Sequence, residues 1–164
     1  MNDVMEEKIL QKLKEKFPDE EFISETFRDE LTITVNAGRI VDICRLLKND
    51  AELLFKQCVD VTAVDWARKK KRFSVVYNLY SLEFNFRLRV KAFIENDEGS
   101  IDSVTSVWKS ANWYEREAYD MLGVIFKNHP DLRRMYMPEE FEYHPLRKDF
   151  PLLGIPGSLP LPQK

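Results

Sequence analysis

Residues 73–94, FSVVYNLYSLEFNFRLRVKAFI, decide the fold of this 164-residue chain. Phe84, Phe86, Leu88, Val90, Ala92 and Ile94 alternate with Asn85, Arg87, Arg89 and Lys91, the period of a strand with one apolar and one polar face. Phe73, Val75, Tyr77 and Leu79 alternate with more polar neighbours in the same way. The basic face of the later run is expected to be exposed or covered by acids, such as those of a neighbouring strand.

Upstream, 58–66 is a strand rich in β-branched residues at Val59, Val61, Thr62 and Val64. Asp60 and Asp65 lie five apart and so on opposite faces of a regular strand, which argues against a paired-carboxylate site built from them alone. One of them is expected to be an exposed strand-end acid beside a cation. The basic run Arg68 to Arg72, RKKKR, reads as a solvated hairpin turn whose lysines discourage edge pairing. A nucleic-acid or anionic-lipid site is the competing reading. It lacks interleaved aromatics, and the chain's formal net charge is -3.

Further toward the N-terminus, Met5, Ile9, Leu13 and Phe17 recur along one helical face that starts near Asp3 and Glu6 and stops at Pro18. Strands are expected over 22–27 and 31–35, joined by Arg28, Asp29 and Glu30. Leu31, Ile33 and Val35 alternate with Thr32 and Thr34. After Gly38, Ile40, Ile43, Cys44 and Leu47 predict a helix ending near Asn49 and Asp50 that packs across the sheet. Residues 95–99 form a turn, and Ser103 is placed as the cap of a short helix through Trp108.

The composition, 44% hydrophobic and 32% charged, is that of a globular domain. Cys44 and Cys58 have no CxxC spacing, cannot alone hold a four-ligand cluster, and are expected reduced and buried. No apolar run approaches the roughly 18–20 residues of a membrane helix. MNDVMEEK lacks the basic and apolar regions of a signal peptide. Membrane association is therefore expected to go through a partner.

Residues 112–151, NWYEREAYDMLGVIFKNHPDLRRMYMPEEFEYHPLRKDFP, mix charge with aromatics more densely than a helix or strand pattern requires. Asn112 and Glu115 read as a capping box and Gly123 as a C′ residue, predicting a helix over 113–122. On it Arg116 and Asp120 are one turn apart and placed to pair. Glu117 and Asp120 are spaced to share a face, with His129 folded nearby for acid–base work. The competing reading, favoured here, is an ion-pair network of Glu115, Glu117 and Asp120 with Arg116, Arg133 and Arg134 that shapes an interface. His129 and His144 each precede proline, which biases them toward extended backbone. They have no metal-site spacing.

This segment resembles the signature of the 30 kDa subunit family of respiratory complex I, the NADH:quinone oxidoreductase of bacteria. Glu115-Arg116-Glu117, Asp120, Gly123, 129–134 (HPDLRR) and 145–151 (PLRKDFP) stand where that signature places them. A weaker likeness, through 59–66 and the strands that follow, extends the coverage to about 25–155. Phe141 and Tyr143 stand where the family often has tryptophan and glycine, and the tail after Pro151 is short for the family.

The resemblance implies a cofactor-free member of the peripheral arm, with flavin mononucleotide (FMN), iron–sulfur clusters and quinone on partner subunits. Its implied partners are the large quinone-site subunit and the adjacent iron–sulfur subunit. Its implied place is peripheral, on the cytoplasmic side of the inner membrane. The expected interface comprises Glu115, Arg116, Glu117, Asp120, His129, Asp131, Arg133, Arg134, His144, Arg147, Lys148 and Asp149. Replacing Arg133 and Arg134 by glutamate is then expected to prevent co-assembly and leave the domain folded. A membrane-bound hydrogenase or ferredoxin-dependent complex is the alternative setting. The sequence itself agrees with an absence of bound dinucleotide, because its five glycines form no GxGxxG or P-loop.

The expected architecture is α+β: a largely antiparallel or mixed sheet with helices on one side over 1–111, the signature helix and charged segment over 112–151, and a proline-rich extended tail over 152–164.

Overall fold

The computed structural model describes residues 2–67, 70–95 and 99–154. A five-stranded mixed sheet runs in the order β1 (Ile23–Phe27), β2 (Glu30–Asn36), β5 (Phe86–Phe93), β4 (Phe73–Ser81), β3 (Gln57–Asp65). Its pairs are antiparallel except β2 with β5, which is parallel. Helices α1 (Asn2–Lys16), α2 (Ile40–Asn49) and α3 (Ala111–Leu122) complete the α+β arrangement expected from the sequence.

One face of the sheet carries the core. Leu31, Ile33, Val61, Val75, Tyr77, Leu88 and Val90 pack with Ile9 and Leu13 of α1, Ile43 and Leu47 of α2, and Ala118 and Leu122 of α3. Each fully buried Leu or Ile contributes about 1.5–3 kcal/mol of transfer free energy. The opposite face reads off the register as cross-strand rows: Glu25, Thr32, Arg89, Asn78, Asp60, and next to it Ile23, Thr34, Lys91, Val76, Thr62. Arg89 donates to Glu30 of β2 at 2.7 Å, the acid from a neighbouring strand that the alternation called for.

The β1–β2 hairpin turns through Arg28 and Asp29, both at positive φ (51° and 62°). That is the conformation in which Asn-Gly is favoured and other residues are strained by about 1–2 kcal/mol each. Replacing the pair by Asn-Gly is expected to stabilise the domain by about 1 kcal/mol, a rise in Tm of about 2–4 °C by calorimetry.

Two local expectations are corrected, and one pair of strands was not foreseen. Strand β5 begins at Phe86, because Asn85 (φ 47°) turns the chain and accepts a hydrogen bond from the Tyr80 hydroxyl. No helix spans 103–108; the Val104 carbonyl takes the amides of both Val107 and Trp108 in a turn. A parallel pair of three-residue strands, β6 (Ser100–Asp102) and β7 (Ile125–Lys127), was not legible, since neither is long enough to show a period. At the C-terminus Leu152 and Leu153 are fully exposed, and 155–164 lie outside the described residues.

Candidate docking site around helix α3

Helix α3 begins at Ala111, one residue before the expected cap, and Ser110 makes no capping bond. Its hydroxyl instead donates to the Cys58 carbonyl of β3 at 3.1 Å. Glu115 forms no capping box either. It points into the protein with no side-chain exposure, where it accepts from Ser103 Oγ at 2.6 Å and from the Val104 amide at 2.8 Å. Burial raises its pKa to about 7 against those two hydrogen bonds. His129 Nε2 stands 4.0 Å away, and the His129 side chain is equally buried. Its Nδ1 accepts the Asp131 amide, so the proton sits on Nε2, which faces the Asn112 carbonyl at 3.2 Å. Burial lowers the histidine pKa, and nearby Arg116 lowers it further.

The anticipated Arg116–Asp120 pair does not form. Arg116 bridges the carbonyls of Arg133 and Arg134 at 3.1 and 3.2 Å and lies over the Trp113 ring. Asp120 faces the same segment. Its Oδ2 collects the amides of Met135, Tyr136 and Met137 at 2.9, 2.7 and 3.0 Å, and Oδ1 takes Arg134 Nη1 at 2.7 Å. Burial alone would raise this carboxyl's pKa; the three amides and the guanidinium outweigh it and hold the group below its ordinary range.

The C-terminus of α3 is closed as completely. Gly123 is left-handed (φ 73°), and its amide bonds the Tyr119 carbonyl. The next carbonyls, which a helix end leaves without partners, are met by the C-terminal segment. His144 Nδ1 serves Asp120, the Leu146 amide serves Met121, and Arg147 Nε serves Leu122 at 2.6 Å. Arg147 also lies over the Phe73 ring. A Cβ on residue 123 would sit 2.1 Å from Arg147 Nη2 and 2.6 Å from the His144 ring. Gly123→Ala is therefore expected to cost about 2 kcal/mol from the left-handed backbone alone, more once Arg147 is displaced, read as a lowered midpoint in urea.

The segment then reaches the sheet. Asp65 is the strand-end acid beside a cation that was expected of one of the two aspartates, but it is buried, and it binds Arg72 through both oxygens at 2.9 and 2.7 Å. The Lys148 amide adds a bond at 2.9 Å, and Asp149 meets the same guanidinium at 2.8 Å. The bidentate arginine holds Asp65 down to about 2. Arg72 is therefore an anchor and not a solvated turn residue; Arg68 and Lys69 lie outside the described residues. Asp60 is on the opposite face, facing Asn78, as its spacing from Asp65 required.

The twelve residues singled out in the sequence thus divide. Glu115, Arg116, Asp120, His129, Arg134, His144 and Arg147 are turned inward: Glu115 holds the 103–104 loop, and the other six tie residues 129–147 to α3. Glu117, Asp131, Arg133, Lys148 and Asp149 face outward. Arg133 pairs with Asp131, at 3.0 Å. Arg134 is a poor interface probe, since a glutamate there would oppose buried Asp120. Asp65, Arg72 and Ser103, which the sequence reading did not place in the site, are each tied to a partner from another part of the chain. Phe141 is buried, and Tyr143 takes an ordinary backbone conformation, so the absent glycine strains nothing.

Around the outward charges stand exposed apolar side chains: Trp113 (61%), Tyr136 (58%), Tyr143 (43%) and Leu146 (60%). Aromatic anchors with arginine and a charged rim are the composition of a protein–protein interface. Among the described residues no three His, Cys, Asp or Glu side chains are grouped to hold a metal ion, and no helix is long and apolar enough to cross a membrane.

Residues 33–155 match the family model described as respiratory-chain NADH dehydrogenase, 30 Kd subunit. The chain is 54% identical over 144 residues to an NADH-quinone oxidoreductase subunit of Geobacter sulfurreducens, covering 87% of this chain and 88% of that protein. Among solved structures, a trypsin-resistant fragment of Nqo5 superposes with a TM-score of 0.60 at 25% identity, over 78% of this chain and 99% of the fragment. A chain of the membrane-bound sulfane sulfur reductase, an archaeal respiratory membrane complex, superposes with a TM-score of 0.71 at 30% identity, over 90% of this chain and 86% of its own length.

Proposed function

Because the chain belongs to the family of the 30 kDa subunit of respiratory-chain NADH dehydrogenase, we propose that it is a part of an NADH:quinone oxidoreductase that contributes structure rather than a cofactor. The observation that carries this reading is the 54% identity to the Geobacter protein along nearly the whole of both chains. Flavin, iron–sulfur clusters and quinone belong on this reading to partner subunits, which transfer electrons from NADH to quinone and couple the transfer to ion translocation. The chain sits in the peripheral arm, on the cytoplasmic side of the inner membrane, held there by its partners.

Residues 112–151 are the docking segment, continuous with the domain of residues 1–111. The inward residues fix the segment's shape, while Glu117, Asp131, Arg133, Lys148 and Asp149 with Trp113, Tyr136 and Leu146 meet the large quinone-site subunit and the adjacent iron–sulfur subunit. The likeness to a chain of the sulfane sulfur reductase extends the fold to a complex of different name. The higher identity to the quinone-reductase relatives favours the first setting.

Affinity capture of the tagged chain from gently solubilised host membranes tests this. Membrane and iron–sulfur subunits with NADH:quinone activity are the expected eluate; reductase or hydrogenase partners, or the chain alone, would reject it. Arg133→Glu is expected to reduce co-purifying subunits severalfold with an unchanged melting curve, and normal recovery would remove Arg133 from the interface.

A further inference from the structure

We propose that the face of the sheet turned away from the core is a second docking surface, and that its occupant is a helix of a partner protein that sets two carboxylates over Arg87 and Lys91. This rests on the chain's working inside a complex, but it concerns a surface separate from the α3 segment.

The first argument is topological. All-parallel sheets are characteristically covered on both faces, whereas antiparallel sheets commonly leave one face to water. Here the parallel pair β2–β5 lies in the middle of the sheet, with α1, α2 and α3 on the core face. The other face ends in side chains alone. Five strands at ~4.8 Å spacing, with about seven residues each at ~3.3 Å, present on the order of 500 Å². That is over half of the ~800 Å² per partner of a standard interface.

The second argument is charge. Arg87, Arg89 and Lys91 project from β5 along the centre of this face. Arg89 is neutralised by Glu30 and held by Asn78. Arg87 lies over the Tyr80 ring, and Lys91 over Trp66 and Phe93. Neither Arg87 nor Lys91 has a carboxylate partner among the described residues, so each keeps an unspent charge beside apolar surface. Four residues of strand separate them by about 13 Å, two to two and a half turns of a helix lying along β5.

The occupant's backbone must satisfy itself, because the strands beneath it spend their own amides and carbonyls within the sheet. A helix does so and an extended peptide does not. Glu25, Glu30 and Asp60 flank the cations on the same face. A continuous polyanion such as nucleic acid or an acidic membrane would be repelled there, whereas two discrete carboxylates over Arg87 and Lys91 are not.

The test uses the intact complex. Lys91 is expected to resist amine acylation in it and to react after chaotropic dissociation, with mass spectrometry locating the label. Carbodiimide coupling is expected to join Lys91 to a glutamate or aspartate of another subunit. The Arg87→Glu/Lys91→Glu variant is expected to co-purify with at least tenfold less of its partners, while Lys91→Arg assembles normally. Both positions are outside the core, so the double variant should keep the wild-type melting curve. Lys91 acylated equally in the intact and dissociated complex, or the double variant assembling normally, would overturn the proposal. Failure of the underlying assignment looks different: the wild-type chain then captures no complex at all.

Discussion

Asp120→Ala is expected to cost about 3–5 kcal/mol, as removing one partner of a buried charged pair does, and to release residues 134–147 from helix α3. One carboxylate terminates three consecutive amides and a guanidinium that has no other carboxylate partner among the described residues. Alanine leaves all four donors without an acceptor in a site that admits little water, and each buried donor stranded in this way costs about 1–3 kcal/mol. Relaxation of the loop recovers part of the sum. A domain stable by about 5–15 kcal/mol does not ignore such a loss. Calorimetry should show a Tm lower by about 10 °C, and limited proteolysis should cut within 134–150 before the sheet. A variant that melts with the wild type and resists the protease would mean that the three amides find other acceptors. Asp120→Asn is expected to retain about half the effect, since one oxygen still accepts while its amide nitrogen opposes a cluster of donors.

The second large effect is a pH dependence centred on Glu115. Its folded pKa, about 7, lies above the ordinary value of 4.5 for the unfolded chain. The folded state therefore binds more protons between those values. The stabilisation is fully present below pH 4.5 and is lost as pH rises through 7, a change on the order of 3 kcal/mol. The two histidines act in the opposite sense, because burial lowers both of their pKa values and stability rises as pH passes upward through 6.5. Comparison with Glu115→Gln isolates the glutamate. The amide oxygen still takes the Val104 amide, and the amide nitrogen donates to Ser103 Oγ, whose proton can turn to Thr105 Oγ1, 2.7 Å away. Urea unfolding at about pH 5 and about pH 8 should show the variant gaining on the wild type by most of that amount as pH rises. Parallel curves for the two proteins would show that Glu115 ionises normally.

The sheet and its two N-terminal helices were legible because each announces itself by period. Leu31, Ile33 and Val35 alternate, Ile40, Ile43, Cys44 and Leu47 recur as a helical stripe, and the structure buries all seven. The signature segment was legible as a site but not as a mechanism. Its charges read as an outward network because charge usually faces water. The structure spends seven of the twelve inside, on backbone groups of the 103–104 loop, of α3 and of residues 133–137. Those partners are amides and carbonyls, which no residue letter records. The expected Arg116–Asp120 pair fails for the same reason: each side chain finds several backbone partners across the loop where it would have found one neighbour on the helix. Asp65 and Arg72 are only seven apart, and their pairing follows from the hairpin between them, but Asp149 joins them from far along the chain.

That last contact sets an order of events during synthesis. Domains generally fold as units while the chain is still emerging from the ribosome, N-terminal parts first. The sheet and α3 leave the ribosome well before His144, Arg147 and Asp149, so the carbonyls at the end of α3 and the carboxylate of Asp65 wait without their final partners. The newborn chain already holds its core but still lacks the clasp.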